Sequence, residues 1–284
     1  MNDTSSRSAV ARFRELHASG CFVLPNPWDR GTAIALERIG YQALATTSAG
    51  AAFGMGLPDD VVSIPRDAML AHIASVASAT PLPVNADFQT GYADDPEGVA
   101  ANVALCVATG VAGLSIEDGT GDPGRPLFDA PLAVERIRAA RRAIDATGIP
   151  VVLTGRCEAW LVGAADPLPT ALDRLTAYAD AGADCLYAPG VREPSAIAAI
   201  VKAVAPKPVN VLAFAADPVF TVARLAELGV RRISVGSALC RVAWGGFLRA
   251  ARGIAATGTF ETFEGMAPFD ELNELFRANS AKRT

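Results

Sequence analysis

The chain reads as one parallel (β/α)8 barrel domain over residues 1–284, with a leading helix and a helical tail, and three observations predict it. Short apolar runs alternate eight times with helical patterns, and no Pro/Gly/Ser-rich linker divides them. Phrases such as Gly110-Val111-Ala112-Gly113, Ala181-Gly182-Ala183 and Leu228-Gly229-Val230 read as helix ends that turn into the next strand. Polar and charged residues collect at the opposite, C-terminal ends of the strands, where a barrel of this kind builds its active site.

The elements follow in order. A leading helix covers Ser6–Ser19. Strands are expected at Phe22–Pro25, Ala43–Thr47, Val84–Asp87, Gly113–Glu117, Val151–Gly155, Cys185–Ala188, Val209–Leu212 and Arg232–Val235. Helices fall between them at Thr32–Ile39, Arg66–Ser78, Pro96–Thr109, Leu132–Thr147, Pro169–Ala181, Pro194–Val204, Pro218–Leu228 and Ser237–Thr257. A further amphipathic segment, Phe269–Ala278, lies beyond the eighth barrel helix and could pack on a neighbouring subunit.

Composition narrows the function. With 284 residues, 51 % of them hydrophobic, there is material for a large core, and a net charge of −5 argues against nucleic acid or an anionic membrane as partner. No apolar run is long enough to span a bilayer and the N-terminus has no apolar signal core, so a cytoplasmic enzyme is expected. The five cysteines are scattered and never form a C-x-x-C pair, which supports neither a disulfide framework nor a zinc site. The two histidines, His17 and His72, and the three lysines, Lys202, Lys207 and Lys282, all fall away from the expected mouth. A histidine base and a Schiff-base lysine are thereby disfavoured.

The mouth residues carry the chemistry. Asp87 and Glu117 close strands three and four at nearly the same phase, and Asp59 sits in a Gly56-Leu57-Pro58-Asp59 turn. Three such carboxylates suit a hard cation, Mg²⁺ or Mn²⁺. Alternation puts Asn85 on the same side as Asp87 and gives Asp118 the opposite phase, a structural one. Arg156, at the end of strand five, suits bidentate capture of a carboxylate or phosphonate, or else a salt bridge to Glu158. Thr46-Thr47-Ser48-Ala49-Gly50 offers backbone N–H groups for an anion, or a tight turn. The Gly119–Gly124 segment reads as a mobile lid or an ordinary surface loop. Asn210 serves either substrate or an internal hydrogen bond. Asp122, Glu158 and Tyr92 are possible acids or bases.

Taken in order, these strings resemble the isocitrate lyase/phosphoenolpyruvate mutase superfamily. The matching strings are Leu24-Pro25-Asn26-Pro27-Trp28-Asp29, Thr46-Thr47-Ser48-Ala49-Gly50, Gly56-Leu57-Pro58-Asp59, Val84-Asn85-Ala86-Asp87, Ser115-Ile116-Glu117-Asp118 and Gly155-Arg156-Cys157-Glu158. The resemblance implies a Mg²⁺-dependent enzyme that makes or breaks C–C or C–P bonds of small oxo or hydroxy acids through an enolate-like species. It implies Asp87 as the closest metal ligand, with Asp59 and Glu117 holding metal-bound waters. Ser48, Ala49 and Gly50 would take the substrate carboxylate and oxo group, and Arg156 its anionic end. It also implies a homodimer or homotetramer that exchanges the last barrel helix between subunits. Three features depart from the pattern. The loop Gly119-Thr120-Gly121-Asp122-Pro123-Gly124-Arg125 lacks the Cys, Lys and His of the lyases and the Lys and Asn of the phosphonopyruvate enzymes. Asn85 stands where many members have Asp, and Ala188-Pro189-Gly190 lacks a Glu. The expected activity is a metal-dependent C–C lyase or hydrolase on an oxo or hydroxy dicarboxylate, with Arg156, Glu117 and Asp122 as the catalytic set. A C–P bond enzyme and a non-catalytic oxo-acid binder are the alternatives.

Overall fold

The computed structural model describes residues 3–60, 63–217 and 220–280. Eight parallel strands run in the order β1-β8-β7-β6-β5-β4-β3-β2: β1 (Phe22–Leu24), β2 (Leu44–Ala45), β3 (Val84–Asp87), β4 (Gly113–Glu117), β5 (Val152–Arg156), β6 (Cys185–Tyr187), β7 (Val209–Leu212) and β8 (Arg232–Ser234). The remaining gap between β1 and β2 is bridged beyond the strand ends. The Ala45 N–H donates to the Pro25 carbonyl at 3.0 Å. Asn26 donates through Nδ2 to the Thr46 carbonyl at 2.8 Å, and its Oδ1 accepts from the amides of Val235 and Gly236 at 3.0 and 2.9 Å. One buried amide thus ties the mouths of β2 and β8 together, and the sheet closes as a (β/α)8 barrel.

The helices expected from the sequence are present as α1 (Asp3–Ala18), α2 (Arg30–Ile39), α4 (Arg66–Ala77), α5 (Pro96–Ala108), α6 (Ala130–Ala146), α7 (Pro167–Asp180), α8 (Pro194–Val204), α9 (Val222–Glu227), α10 (Ala238–Thr257) and α11 (Phe269–Ser280). The expected helix at Pro218–Leu228 starts later, at Val222, while Pro218 and Val219 lie outside the described residues. One helix was missed: α3 (Ser48–Gly54) begins where a nest or tight turn was expected, capped by the Thr47 hydroxyl, which accepts from Gly50 N–H at 3.2 Å. Gly50 is required there, since a Cβ would lie 2.6 Å from Thr47 Cγ2 and 2.9 Å from Trp28 Cβ.

The apolar core sits between the barrel and its helix ring, with Leu114, Ile116, Leu153 and Leu186 of the strands buried against Val103, Ile137, Leu175 and Ile197 of the helices. Helix α1 plugs the bottom of the barrel with Phe13 and His17, whose rings pack edge-on with each other and with Phe22. Helix α10 behaves differently from the other barrel helices. Among its described residues Cys240 is buried, while Val242, Trp244, Phe247 and Leu248 are exposed. Helix α11 lies against α2, with Phe276 beside Gly31.

Candidate active site

The C-terminal strand ends surround a cavity of about 210 Å³. Asp87, Arg156, Tyr187 and Asn210 line it from β3, β5, β6 and β7. Ser48, Ala49, Asp59, Ser237 and Arg241 complete the rim, with the first turn of α10 against α3 through Cys240 and Gly50. Strand alternation brings the second layer, Asn85, Ser115, Arg232 and Ser234, to the cavity floor.

Asp87 is the best-fixed carboxylate facing this space. Its Oδ2 accepts from both the amide and the hydroxyl of Ser48, at 2.9 and 2.8 Å, and its Oδ1 from Arg156 Nη1 at 3.2 Å. The Asp87 amide donates to the Thr46 hydroxyl at 2.9 Å. Arg156 serves three acids at once: Nη1 also lies 3.0 Å from Glu117 Oε2, and Nε is hydrogen-bonded to Glu158. Both readings of Arg156 therefore meet in one residue, which is paired to Glu158 and lines the cavity as well. Burial raises the Glu117 carboxyl above its ordinary range. Arg156 opposes the rise, and repulsion from Glu158, Asp87 and Asp118 reinforces it.

The other expected site residues are distributed unevenly. Asp59 stands exposed on the rim, where partial desolvation and the Asp87 charge raise its carboxyl and Arg156 lowers it. Glu117 lies behind Arg156 and does not line the cavity. Gly50 is buried in α3 rather than in the lining. Asn210 sits on the floor, its side chain spent on Ser234 and Arg232. Asp118 is structural as its phase suggested: it accepts from the Glu158 amide at 2.8 Å, from Arg174 at 3.0 Å and from the Tyr178 hydroxyl at 2.6 Å. Cys157 is fully buried, with its thiol pushed far above the ordinary range.

Two expectations change. Asp122 does not reach the cavity. It is exposed, and its carboxylate accepts from the Gly124 amide at 2.8 Å within a local turn. Nor is Gly119–Gly124 an unanchored flap: Gly119 bridges Leu127, and the amides of Thr120 and Arg125 donate to Pro126 and Asp122 carbonyls at 3.1 and 3.0 Å. The loop is a short hairpin, because Thr120 and Asp122 spend their side chains on its own backbone. Strain appears instead after β3, where Gln89 (φ 48°) and Tyr92 (φ 58°) hold left-handed backbone. There the Gln89 carbonyl accepts from the Glu117 amide at 3.0 Å and Tyr92 donates to Gln89 Oε1 at 2.8 Å, so the strained turn braces β4.

Among the described residues no three His, Cys, Asp or Glu side chains converge as a ligand cage, so Asp87, Asp59 and Glu117 are not three direct ligands. They fit a water-rich ion held by one carboxylate, the arrangement Mg²⁺ favours, with Asp87 in that role and Asp59 on the rim beyond it.

Sequence reasoning missed Arg241, Tyr187, Ser234 and Arg232. Arg241, on the first turn of α10, has no ion pair among the described residues and is exposed at the mouth. Its place in the cavity lining was not visible in the helical pattern that contains it.

A parallel barrel whose strand ends gather carboxylates and arginines over a small cavity has the architecture of a barrel enzyme. Residues 13–255 match the phosphoenolpyruvate phosphomutase family, and the chain belongs to it. The chain is 33 % identical over 225 residues to the 2-methylisocitrate lyase of Salmonella typhimurium, covering 76 % of this chain and 72 % of that one. It is 34 % identical over 264 residues to an uncharacterised protein of Mycobacterium tuberculosis, at 92 % and 94 % coverage. Among solved structures it resembles a Burkholderia cenocepacia chain described only as a lyase or mutase (45 % identity, TM-score 0.92, 96 % and 97 % covered). It also resembles an oxaloacetate acetylhydrolase in complex with oxalate (26 %, TM-score 0.85, 97 % and 96 % covered). The protein is thus an enzyme of the isocitrate lyase/phosphoenolpyruvate mutase superfamily of lyases and mutases. Among the described residues no helix is long and apolar enough to cross a membrane.

Proposed function

We propose that the protein is a Mg²⁺-dependent lyase or hydrolase that cleaves a C–C bond of a small 2-oxo or 2-hydroxy dicarboxylate. The observation that carries this reading is the presence, in one cavity lining, of a pre-oriented Asp87 and of Arg241, which no acid among the described residues pairs with. A substrate with two anionic ends fits between them. One end would lie beside Asp87 and the start of α3, the other against Arg241, with Arg156 at the flank. The three acids on Arg156 hold its guanidinium in place, so little ordering cost remains on binding. When bound, Mg²⁺ or Mn²⁺ supplies Lewis-acid stabilisation of the enolate that C–C cleavage leaves.

The test is product detection with oxaloacetate, methylisocitrate, dimethylmalate and phosphonopyruvate in the presence and absence of Mg²⁺. Turnover of one of the first three, lost on chelation, supports the reading. Turnover of phosphonopyruvate alone replaces it with C–P chemistry, to which the family match lends weight.

The exposed apolar face of α10 supports a homodimer or homotetramer in which this helix packs on a neighbouring barrel. Light scattering on the purified protein tests it, and a monomer at micromolar concentration would contradict it.

A further inference from the structure

The cavity at the strand ends also has an apolar wall, made by Leu161, Leu212 and Phe214. Leu212 shares the inward phase of Asn210 on β7, and Phe214 follows two residues beyond that strand's end. Leu161 lies in the loop after β5 and is 51 % exposed. Both leucines are seated. A Cβ at Gly190, after β6, would lie 3.2 Å from Leu161 Cδ2, and one at Gly236, after β8, 3.1 Å from Leu212 Cδ1. Each leucine therefore rests on the bare backbone of a neighbouring loop. In the ring of eight strands β7 stands four places from β3 in either direction, so the wall and Asp87 come from opposite arcs of the mouth. The charged groups near the wall already have partners. Arg192 donates to Asp217 at 2.7 Å beside Leu212 and Phe214. Arg156 holds Asp87, Glu117 and Glu158. Arg232 donates to Asn210 and Thr154 and meets His17. Arg241 and the Asp87 arc are taken by the two anionic ends of the proposed substrate, which leaves no cation at the wall for a third.

We infer that the dicarboxylate taken by this cavity carries a third branch, that the branch is an alkyl chain longer than methyl and not a third carboxylate, and that Leu161, Leu212 and Phe214 set this specificity. The inference rests on the dicarboxylate reading of the same cavity. Three large side chains present more apolar surface than one methyl group covers. Each methylene moved from water onto such a wall tightens binding about fourfold. A carboxylate laid against it would give up water and gain no partner.

The test is calorimetric titration of the full-length protein, with Mg²⁺ present, against succinate, 2-methylsuccinate, 2-propylsuccinate and propane-1,2,3-tricarboxylate. None of the four has the oxo or hydroxy group that cleavage needs, so binding is read without turnover. At about fourfold per carbon, 2-propylsuccinate should bind roughly 60-fold more tightly than succinate, with 2-methylsuccinate between them. The heat-capacity change of binding should become more negative along that series. The tricarboxylate should bind no more tightly than succinate. Leu161→Ser, a change at an exposed position, should lower the ratio of propyl to succinate affinity about fourfold or more, and Phe214→Ser should do the same. Equal affinity for succinate and 2-propylsuccinate, a tricarboxylate that outbinds the propyl compound, or an unchanged ratio in both serine variants overturns the inference and leaves the dicarboxylate reading standing. If none of the four binds, the dicarboxylate reading falls, and the inference with it.

Discussion

Ser48 gives both of its donors, amide and hydroxyl, to the same oxygen of Asp87. The carboxylate that would hold the metal is thereby fixed by the first residue of α3. The resemblance implies a place for Ser48 at the substrate, and the structure adds that Ser48, in the cavity lining, orients the acid.

That contact predicts a graded pair of variants. Asp87→Ala should abolish Mg²⁺ binding and leave the barrel folded. Ser48→Ala, which removes one of the two donors, should weaken Mg²⁺ by about 10–100-fold, the usual effect of losing a group that orients a ligand. Calorimetric titration with circular dichroism as the folding control decides both. Equal affinity in all three proteins would disprove the assignment.

Arg241→Ala should discriminate between substrates. A hydrogen bond to a charged group contributes about 1.5–3 kcal/mol, so dicarboxylates should bind roughly 10–100-fold more weakly. Monocarboxylates such as pyruvate should lose little. Titrating oxaloacetate and pyruvate against both proteins gives the ratio, and a uniform loss would place Arg241 outside the anion site.

The bottom of the barrel should make stability depend on pH. Burial first, then Arg232, lowers His17 from 6.5 to about 3. Between those values the unfolded chain binds one proton more than the folded one, so stability is full above pH 6.5. It should fall as pH drops, by about 1.4 kcal/mol per pH unit. Urea denaturation from pH 7 to pH 4 measures the slope, and His17→Gln should reduce it by that amount. An unchanged slope would mean that His17 charges in the folded state.

Asp118 should matter for stability more than for chemistry. Removing one partner of a buried ion pair costs about 3–5 kcal/mol. Asp118→Ala strands Arg174, the Tyr178 hydroxyl and the Glu158 amide together. The loss is read as a shift in the urea midpoint.

The strands were legible as short apolar runs, six of the eight preceded by a glycine-marked helix end and the other two, β3 and β7, by prolines. Asp87 and Asp118 could be assigned a facing from alternation alone. Helix α3 was not legible, since Ser48-Ala49-Gly50-Ala51-Ala52-Phe53-Gly54 is short and carries glycines that helices usually avoid. Arg241 was hidden in a helical pattern whose first turn happens to face the mouth. The Arg232–Asn210–Ser234 contacts were hidden for a different reason: each member is unremarkable in its own strand, and only the pairing of β7 with β8 sets them side by side. The loop after β4 stayed open between a lid and an ordinary surface loop because glycine content says nothing of the side chains that fasten a turn.

Helix α1 looks like a lid on the unused end of the barrel, yet its His17 supplies the acceptor for Arg232 Nη1. A chain shortened past Ser19 would lose more than a stopper. It would leave the guanidinium that sets the floor hydrogen bonds short of a partner and open to water from below. One hydrogen bond thus joins the amino-terminal helix to the floor of the cavity at the other end of the barrel, and trimming that helix should be felt at the floor.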